Sequence, residues 1–328
     1  MSSYPIMSSS PHLHSNETVR GIMLDVIIAL LPAACFSVYF FGMAAISIIL
    51  TSVCSCVLFE WLFCKIMKKP NATGDLSAVV TGLLLAYNLP PTLPLWMVII
   101  GAFFAIVIVK QFFGGIGKNF VNPALAARAF LLAAWTGEMT KWSLPLIFGT
   151  DAVSGATPMA LLKEGAFAKL PSLIDVAFGN IGGCIGETST LLLLIGGLYL
   201  VMRRVISFKT PLSFLGTVAI FSFLFGGGTD LVSCTSIMLY HLFGGGLILG
   251  AFFMATDYTT SPITGKGQII MGIGCGLITI LIRLKGGYPE GVSYAILFMN
   301  IVTPLIDRYT VPKPFGYAKK AKEAAKHE

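Results

Sequence analysis

The sequence has few charged residues: Asp, Glu, Lys and Arg make up 11% of its 328 residues, against roughly 25% in soluble domains. Hydrophobic residues make up 55%, and apolar runs near the bilayer-crossing length of about 20 residues recur along the chain. This pattern excludes a soluble globular domain and predicts an all-α integral membrane protein. A net charge of +7 could suit nucleic acid, but the basic residues stand between apolar runs, so we expect no nucleic-acid partner.

The sequence also lacks CxxC pairs and a nucleotide-binding glycine fingerprint. Its seven cysteines mostly lie in apolar runs, which predicts small buried side chains rather than an iron–sulfur or zinc site. Residues 1–21 do not resemble a cleavable signal peptide, and the first apolar run is long enough to remain as a span.

Ten membrane segments are predicted, at about 22–41, 43–63, 76–89, 94–113, 120–136, 188–203, 211–227, 236–255, 268–284 and 291–307. The third and fifth are short for full spans, which predicts broken helices that face protein or a cavity. With the N-terminus placed inside, sixteen of the Lys and Arg residues lie in inner segments and five in outer loops, Arg283 among the five. This bias favours cytoplasmic termini and an outer position for residues 137–187.

The two halves of the chain resemble each other weakly. A GLLLAYN stretch from Gly82 precedes Lys110, and a GAFFMAT stretch from Gly250 precedes Arg283 at a similar interval. Five segments per half would make the halves inverted repeats, as in many transporters; the alternative is that Gly-rich apolar sequences align by chance. The repeat hypothesis divides the chain into an N-terminal segment (1–21), a first repeat (22–136), an outer loop (137–187), a second repeat (188–308) and a basic tail (309–328).

The predicted outer loop contains the stretch DAVSGATP, from Asp151 to Pro158. Small residues surround the Thr157 hydroxyl and would leave it accessible to a modifying enzyme. Taken alone, the stretch is also an ordinary polar turn.

The stretch resembles the acceptor motif of flavin transferases, and it follows GGIGKNFVNPALAARAFL, from Gly114 to Leu131. Together they resemble the RnfD/NqrB family, membrane subunits of the Rnf complex and of the sodium-pumping NADH:quinone reductase; the chain length favours the Rnf type. The resemblance implies a urea-channel-like fold and a covalent FMN, phosphodiester-linked to Thr157 by a separate transferase. It also implies roles for Asp151, Ser154, Gly155 and Ala156 in recognition by that transferase.

The resemblance further implies a second, non-covalent flavin, riboflavin, near the GGIGKNFVNP stretch. Asn119 and Asn122 would share a helix face if both were helical; they either bind a flavin edge or satisfy the backbone of a broken helix. Arg128, ionisable within an apolar segment, is expected to be functional or paired. Asp75, Asp230 and Asp257 are each either a helix cap or a residue on a cation route. No metal ligand is assigned, and Asp257 and Asp230 are the two candidates for a cation path.

Two functions remain open. The resemblance implies a flavin-carrying subunit of a ferredoxin:NAD⁺ oxidoreductase that moves Na⁺ or H⁺ across the bacterial cytoplasmic membrane, with Thr157 outside. Its partners would be the A, B, C, E and G subunits of the Rnf complex, which would bind ferredoxin and NAD⁺. The alternative is a passive channel or carrier for a small solute such as urea, which would not need the motif at Thr157.

Overall fold

The computed structural model describes residues 17–70, 72–145, 155–187, 189–228 and 230–312, and these ranges are helical with connecting turns. The long helices are α1 (Val19–Phe41), α2 (Met43–Ile66), α10 (Lys209–Phe225), α13 (Gly265–Lys285) and α14 (Val292–Thr310); α9 (Thr190–Met202) and α11 (Leu231–Phe243) are shorter. Helices α1, α2 and α13 are each long and apolar enough to cross a membrane. The chain is therefore a multi-pass helical membrane protein.

The third and fifth predicted segments form short helices. They are α3 (Ser77–Tyr87) and α5 (Pro123–Ala134), and α4 (Leu95–Phe103) lies between them and continues as a π-helix over Phe104–Gln111. Ten of the eleven residues of α3 are buried, as expected for a short helix that faces protein rather than lipid.

The eighth predicted segment is broken, which the sequence did not indicate. Helix α12 (Leu247–Leu249) continues as a π-helix over Gly250–Met254, and this unit is bent by 57° relative to α11. The break occurs at Gly244, Gly245 and Gly246, of which the last two have φ of 66° and 63°. Glycine adopts this left-handed conformation without a Cβ penalty.

The segment between α5 and α9 contains only short elements where it is described. They are α6 (Thr136–Met139), α7 (Pro158–Lys163), α8 (Leu173–Phe178) and 3₁₀ turns at Phe167–Lys169 and Ile185–Glu187. The second turn is buried against the end of α3, where the Ile185 N–H donates to the Leu89 carbonyl at 3.0 Å. The segment therefore partly enters the helical core.

Two features differ from the expectations drawn from the sequence. Arg283, assigned there to an outer loop, lies in α13 and is buried. Four of the seven cysteines are buried, whereas Cys35 and Cys54 are exposed and Cys234 is intermediate. The prediction of buried cysteines therefore holds for only part of the set.

Helices α1 and α9 approach closely at Gly196, where an added Cβ would lie 2.2 Å from the Ala29 carbonyl oxygen. We expect Gly196→Ala to lower the unfolding free energy in detergent by about 1–3 kcal/mol, because backbone atoms cannot yield to the new methyl group. Gly216→Ala in α10 is the control, since no atom lies within 4 Å of its Cβ position. Equal stability of the two variants would contradict this close approach.

Candidate functional site

Helix α5 contributes to two cavities. Asn122, Pro123 and Ala124 at its start line one of about 380 Å³. Arg128, Ala129 and Leu132, further along, line another of about 460 Å³. A helix rises 1.5 Å per residue, so Asn122 and Arg128 are separated by about 9 Å along the axis. Both volumes fall in the range typical of small-molecule sites, about 300–1,000 Å³.

The larger cavity, called here the Thr157 cavity, contains the end of the predicted attachment motif. Gly155, Ala156 and Thr157 line it together with Trp142 and Met139. The Gly155 N–H donates to the Trp142 carbonyl oxygen at 3.1 Å, which holds the motif against this wall.

Thr157 is the N-cap of α7. Its Oγ1 accepts a hydrogen bond from the Ala160 N–H at 3.2 Å, the usual role of a threonine before a proline-initiated helix. The side chain is only 1% exposed, in contrast to the accessible hydroxyl expected from the sequence. A modifying enzyme could reach this hydroxyl only if the surrounding segment opened.

Arg128 forms part of the cavity wall and is paired, as expected for a charge inside an apolar segment. Its guanidinium donates to Asn88 Oδ1 and Ser293 Oγ, each at 3.0 Å, and forms a short ion pair with Glu290. A weaker contact reaches Cys184 Sγ at 3.6 Å. One side chain thus joins α3, α5, α14 and two connecting segments.

An aromatic pair forms another part of the wall. The rings of Tyr288 and Tyr294 stack with centroids 5.7 Å apart and planes 27° from parallel. Lys163 on α7 donates to the Tyr288 carbonyl at 3.1 Å and also to the Gly286 carbonyl. The lysine therefore fastens α7 to the segment that carries the aromatic pair.

The smaller cavity, called here the Asn119 cavity, is lined by both predicted asparagines. They do not share a helix face, because α5 begins after them at Pro123. Asn122 caps α5, with Oδ1 accepting from the N–H groups of Ala124 and Leu125 at 3.1 and 3.3 Å. Asn119 Oδ1 is buried and without a partner among the described residues, which leaves an acceptor for a donor on a ligand.

Lys110 also lines the Asn119 cavity. Its ammonium lies 2.6 Å from Glu60 Oε1 and donates to Ser77 Oγ at 2.6 Å. Gln111 donates to the same Glu60 oxygen at 2.7 Å. Lys110 and Glu60 are both buried, at 3% and 0% side-chain exposure, so they form an ion pair inside the protein.

Asp257 completes the polar part of that cavity. The hydroxyls of Thr259 and Thr260 donate to its Oδ2 at 3.2 and 3.3 Å. Burial raises the pKa of this carboxyl, and the hydroxyl contacts partly offset the rise. Of the other aspartates, Asp75 accepts from Ser77 at the start of α3, and Asp230 is the N-cap of α11.

The structure brings together some of the predicted residues and separates others. Gly155, Ala156, Thr157 and Arg128 line one cavity, whereas Asn119, Asn122 and Asp257 line the other. Asp151 and Ser154 lie outside the described residues. Asp230 lines neither cavity.

Several polar residues of these sites were missed from the sequence. Glu60, Glu187 and Glu290 are single carboxylates without a spacing signal, and Glu60 and Glu290 pair with side chains far away in the chain. The only hint available was that Glu60 stands inside a predicted apolar segment, where an ionisable residue marks a functional or paired position.

These features define a class: a multi-pass helical membrane protein in which a loop threonine and a membrane arginine line one cavity. The sequence model of the NQR2, RnfD, RnfE family matches residues 6–316. The chain therefore belongs to this family.

The similarity to known proteins extends over almost the whole chain. The D subunit of the Na⁺-translocating ferredoxin:NAD⁺ oxidoreductase complex of Acetobacterium woodii is 53% identical, covering 97% of both chains. The D subunit of the proton-translocating complex of Clostridium ljungdahlii is 48% identical, covering 94% of this chain and 96% of that protein. The D subunit of the ion-translocating oxidoreductase complex of Stutzerimonas stutzeri is 39% identical, covering 92% and 93%.

Proposed function

We propose that this chain is the electron-carrying D subunit of an ion-translocating ferredoxin:NAD⁺ oxidoreductase, with FMN covalently attached to Thr157. The observation that carries the proposal is the placement of Thr157, with Gly155 and Ala156, in a cavity that also holds Arg128 and an aromatic pair. The high identity to D subunits of such complexes over nearly the full length supports it.

The Thr157 cavity has suitable chemistry for a flavin. Its aromatic side chains, Trp142, Tyr288 and Tyr294, offer faces to a flat heteroaromatic ring. Arg128 supplies fixed positive charge, and one buried oxygen of Glu290 has no donor among the described residues. When bound, the flavin would supply electron transfer, and these residues would orient it and tune its electrostatic surroundings.

We infer that Thr157 is modified before its segment packs. Its side chain is buried, and its hydroxyl oxygen caps α7. A flavin transferase needs that oxygen as a nucleophile and must approach it from outside. Asp151 and Ser154 would then be recognised in the open segment.

The Asn119 cavity is our proposed site for the second flavin, riboflavin. The unpartnered Asn119 Oδ1 would accept from an N–H or hydroxyl of the ligand. Asn122 serves mainly as a helix cap, so we assign it to shaping the cavity. Asp257 and Lys110 would face the polar part of the ligand. Because α5 lines both cavities, this helix would lie between the two flavins.

We also propose that the ten segments form two inverted repeats with a urea-channel-like fold. The order of the helical units supports this arrangement. Among the described residues, α1 to α5 precede the connecting segment, and α9, α10, the broken α11–α12 unit, α13 and α14 follow it. Contacts between α2 and α4 have a counterpart between α10 and α13. Lys110 and Arg283 are buried cations near the ends of the matching helices.

The proposed assembly is a complex with the A, B, C, E and G subunits in the bacterial cytoplasmic membrane, with cytoplasmic termini and Thr157 outside. Ferredoxin and NAD⁺ would bind to partner subunits. The relatives include one named for Na⁺ and one named for protons, so the transported ion of this chain is left as Na⁺ or H⁺.

The test is flavin fluorescence on a denaturing gel, after expression in a host with the transferase. The wild-type band should fluoresce, and Thr157→Ala should abolish the signal because the attaching oxygen is gone. Thr140→Ala is the matched control: Thr140 lines the same cavity, but its hydroxyl donates to the Thr136 carbonyl. A dark wild-type band would refute covalent attachment and favour the solute-channel alternative.

A further inference from the structure

Two carboxyl groups, the buried Glu187 and the half-buried Glu290, lie close together behind the Thr157 cavity. Glu290 lines the cavity, and Glu187 lies on the 3₁₀ turn between α8 and α9. Ligand atoms of both carboxyls and Cys184 Sγ all lie within 4.8 Å of one another. Glu187 is 7% exposed and the Glu290 side chain 12%, so Glu187 is shielded from water while Glu290 borders the cavity.

The hydrogen-bond donors around the pair satisfy only half of its oxygens. Arg128 donates to Glu290 Oε2, and the Cys184 N–H donates to Glu187 Oε2 at 3.4 Å. Oε1 of each carboxyl is buried and has no partner among the described residues. Leaving two carboxylate oxygens buried without donors is costly, so the site needs a further positive species.

The surrounding charges do not fill this need. Arg128 is the one described cation that contacts the pair. Arg283 lies nearby, but it donates to the carbonyl oxygens of His241, Gly244 and Gly245. Cys184 has a thiol, a weak donor. Burial and the neighbouring Glu290 carboxylate raise the pKa of Glu187 well above its ordinary value.

A proton fits the site better than a metal cation. Hard cations such as Na⁺ prefer several oxygen ligands, and the third ligand atom here is the sulfur of Cys184. The nearby carbonyls of Gly244 and Gly245 already accept from Arg283. Two close carboxylates need only a single proton to remove their repulsion.

We propose that Glu187 and Glu290 form a proton-binding site that holds one shared proton beside the Thr157 cavity. Uptake converts one carboxylate into a carboxylic acid, and release returns the proton to solvent or to the cavity. Because Glu290 lines that cavity, negative charge placed there increases the proton affinity of the pair. This link to cavity charge rests on the proposed flavin attachment, whereas the proton site itself does not.

Infrared spectroscopy of the purified chain tests the site, because a protonated carboxyl has a C=O band that shifts in D₂O. We expect such a band at neutral pH, its loss in both Glu187→Gln and Glu290→Gln, and no change on adding Na⁺. Glu138→Gln is the control, since that half-exposed residue pairs with the exposed Lys141 away from the site. If either Gln variant fails to fold, the corresponding Asp variant should shift the band instead of removing it.

Two results would overturn the proposal: no exchangeable carboxyl band in folded wild-type protein, or a band that disappears when Na⁺ is added. The Thr157→Ala variant separates this proposal from the flavin attachment. It should keep the exchangeable carboxyl band, and the pH at which half of that band is lost should be lower than in flavin-loaded protein. If wild-type protein shows the infrared carboxyl band but no flavin fluorescence, the attachment is refuted and the proton site is not. If the pH midpoint of the band is the same in Thr157→Ala and in flavin-loaded wild type, the link to cavity charge is refuted.

Discussion

Replacing Lys110 by methionine is expected to cost about 3–5 kcal/mol of unfolding free energy. The ammonium of Lys110 is the partner of Glu60, whose side chain is completely buried. In its absence, Glu60 Oε1 would keep only the Gln111 amide, and Oε2 already has no partner among the described residues. An uncompensated carboxylate would remain in the core. Unfolding of the purified protein in detergent, followed by helical circular dichroism, measures the effect.

The matched control removes both charges together. Glu60→Gln with Lys110→Met should recover most of the lost stability, because a buried ion pair contributes little relative to neutral residues of similar size. The double-mutant cycle then gives the coupling between the two side chains. A double variant as unstable as Lys110→Met alone would show that the lysine stabilises the protein through some other contact.

The short helices were predictable from the sequence, whereas the break in the eighth segment was not. Segments 76–89 and 120–136 were bounded by Pro or Gly pairs, and the structure has helices at Ser77–Tyr87 and Pro123–Ala134. The eighth segment looked continuous in hydropathy. Its interruption depends on left-handed backbone at Gly245 and Gly246, and composition alone does not show which glycines adopt it.

The residue types of the site were more predictable than their grouping. Thr157 and Arg128 were singled out separately, and the structure places them in one cavity. Asn119 and Asn122 would share a face only if both were helical, but the helix starts at Pro123 and Asn122 caps it. A cap and a helical position differ by one residue, which is within the error of predicting a helix boundary.

The partners of the buried charges could not be predicted, because they lie far away in the chain. Arg128 and Glu290 are 162 residues apart, and Lys110 and Glu60 belong to different helices. Lys110 was counted among the inner cations, near the end of the predicted segment 94–113. The π-helical continuation of α4 carries it into the core. Such pairings depend on how helices pack and leave no spacing signal.

Arg128→Met should have an effect of similar size, about 3–5 kcal/mol, for a related reason. It would leave Glu290 without its cation and beside Glu187, and it would remove the donors to Asn88 and Ser293. Arg128→Lys should recover only part of the loss, because an ammonium keeps the charge but cannot reach several acceptors in the fixed geometry of a guanidinium. Chemical or thermal unfolding in detergent measures both variants.

A second substitution, Glu290→Gln, tests whether the unpaired carboxylate causes the loss of stability. Added to Arg128→Met, it removes the carboxylate that lost its partner, and we expect it to restore a large part of the stability. Gel fluorescence should persist in folded Arg128→Met protein, because the proposed attachment needs the Thr157 hydroxyl and an open segment rather than the arginine. If Arg128→Lys proved as stable as wild type, the charge alone would account for the role of Arg128, and the hydrogen bonds from α5 to α3 and α14 would contribute nothing measurable to stability.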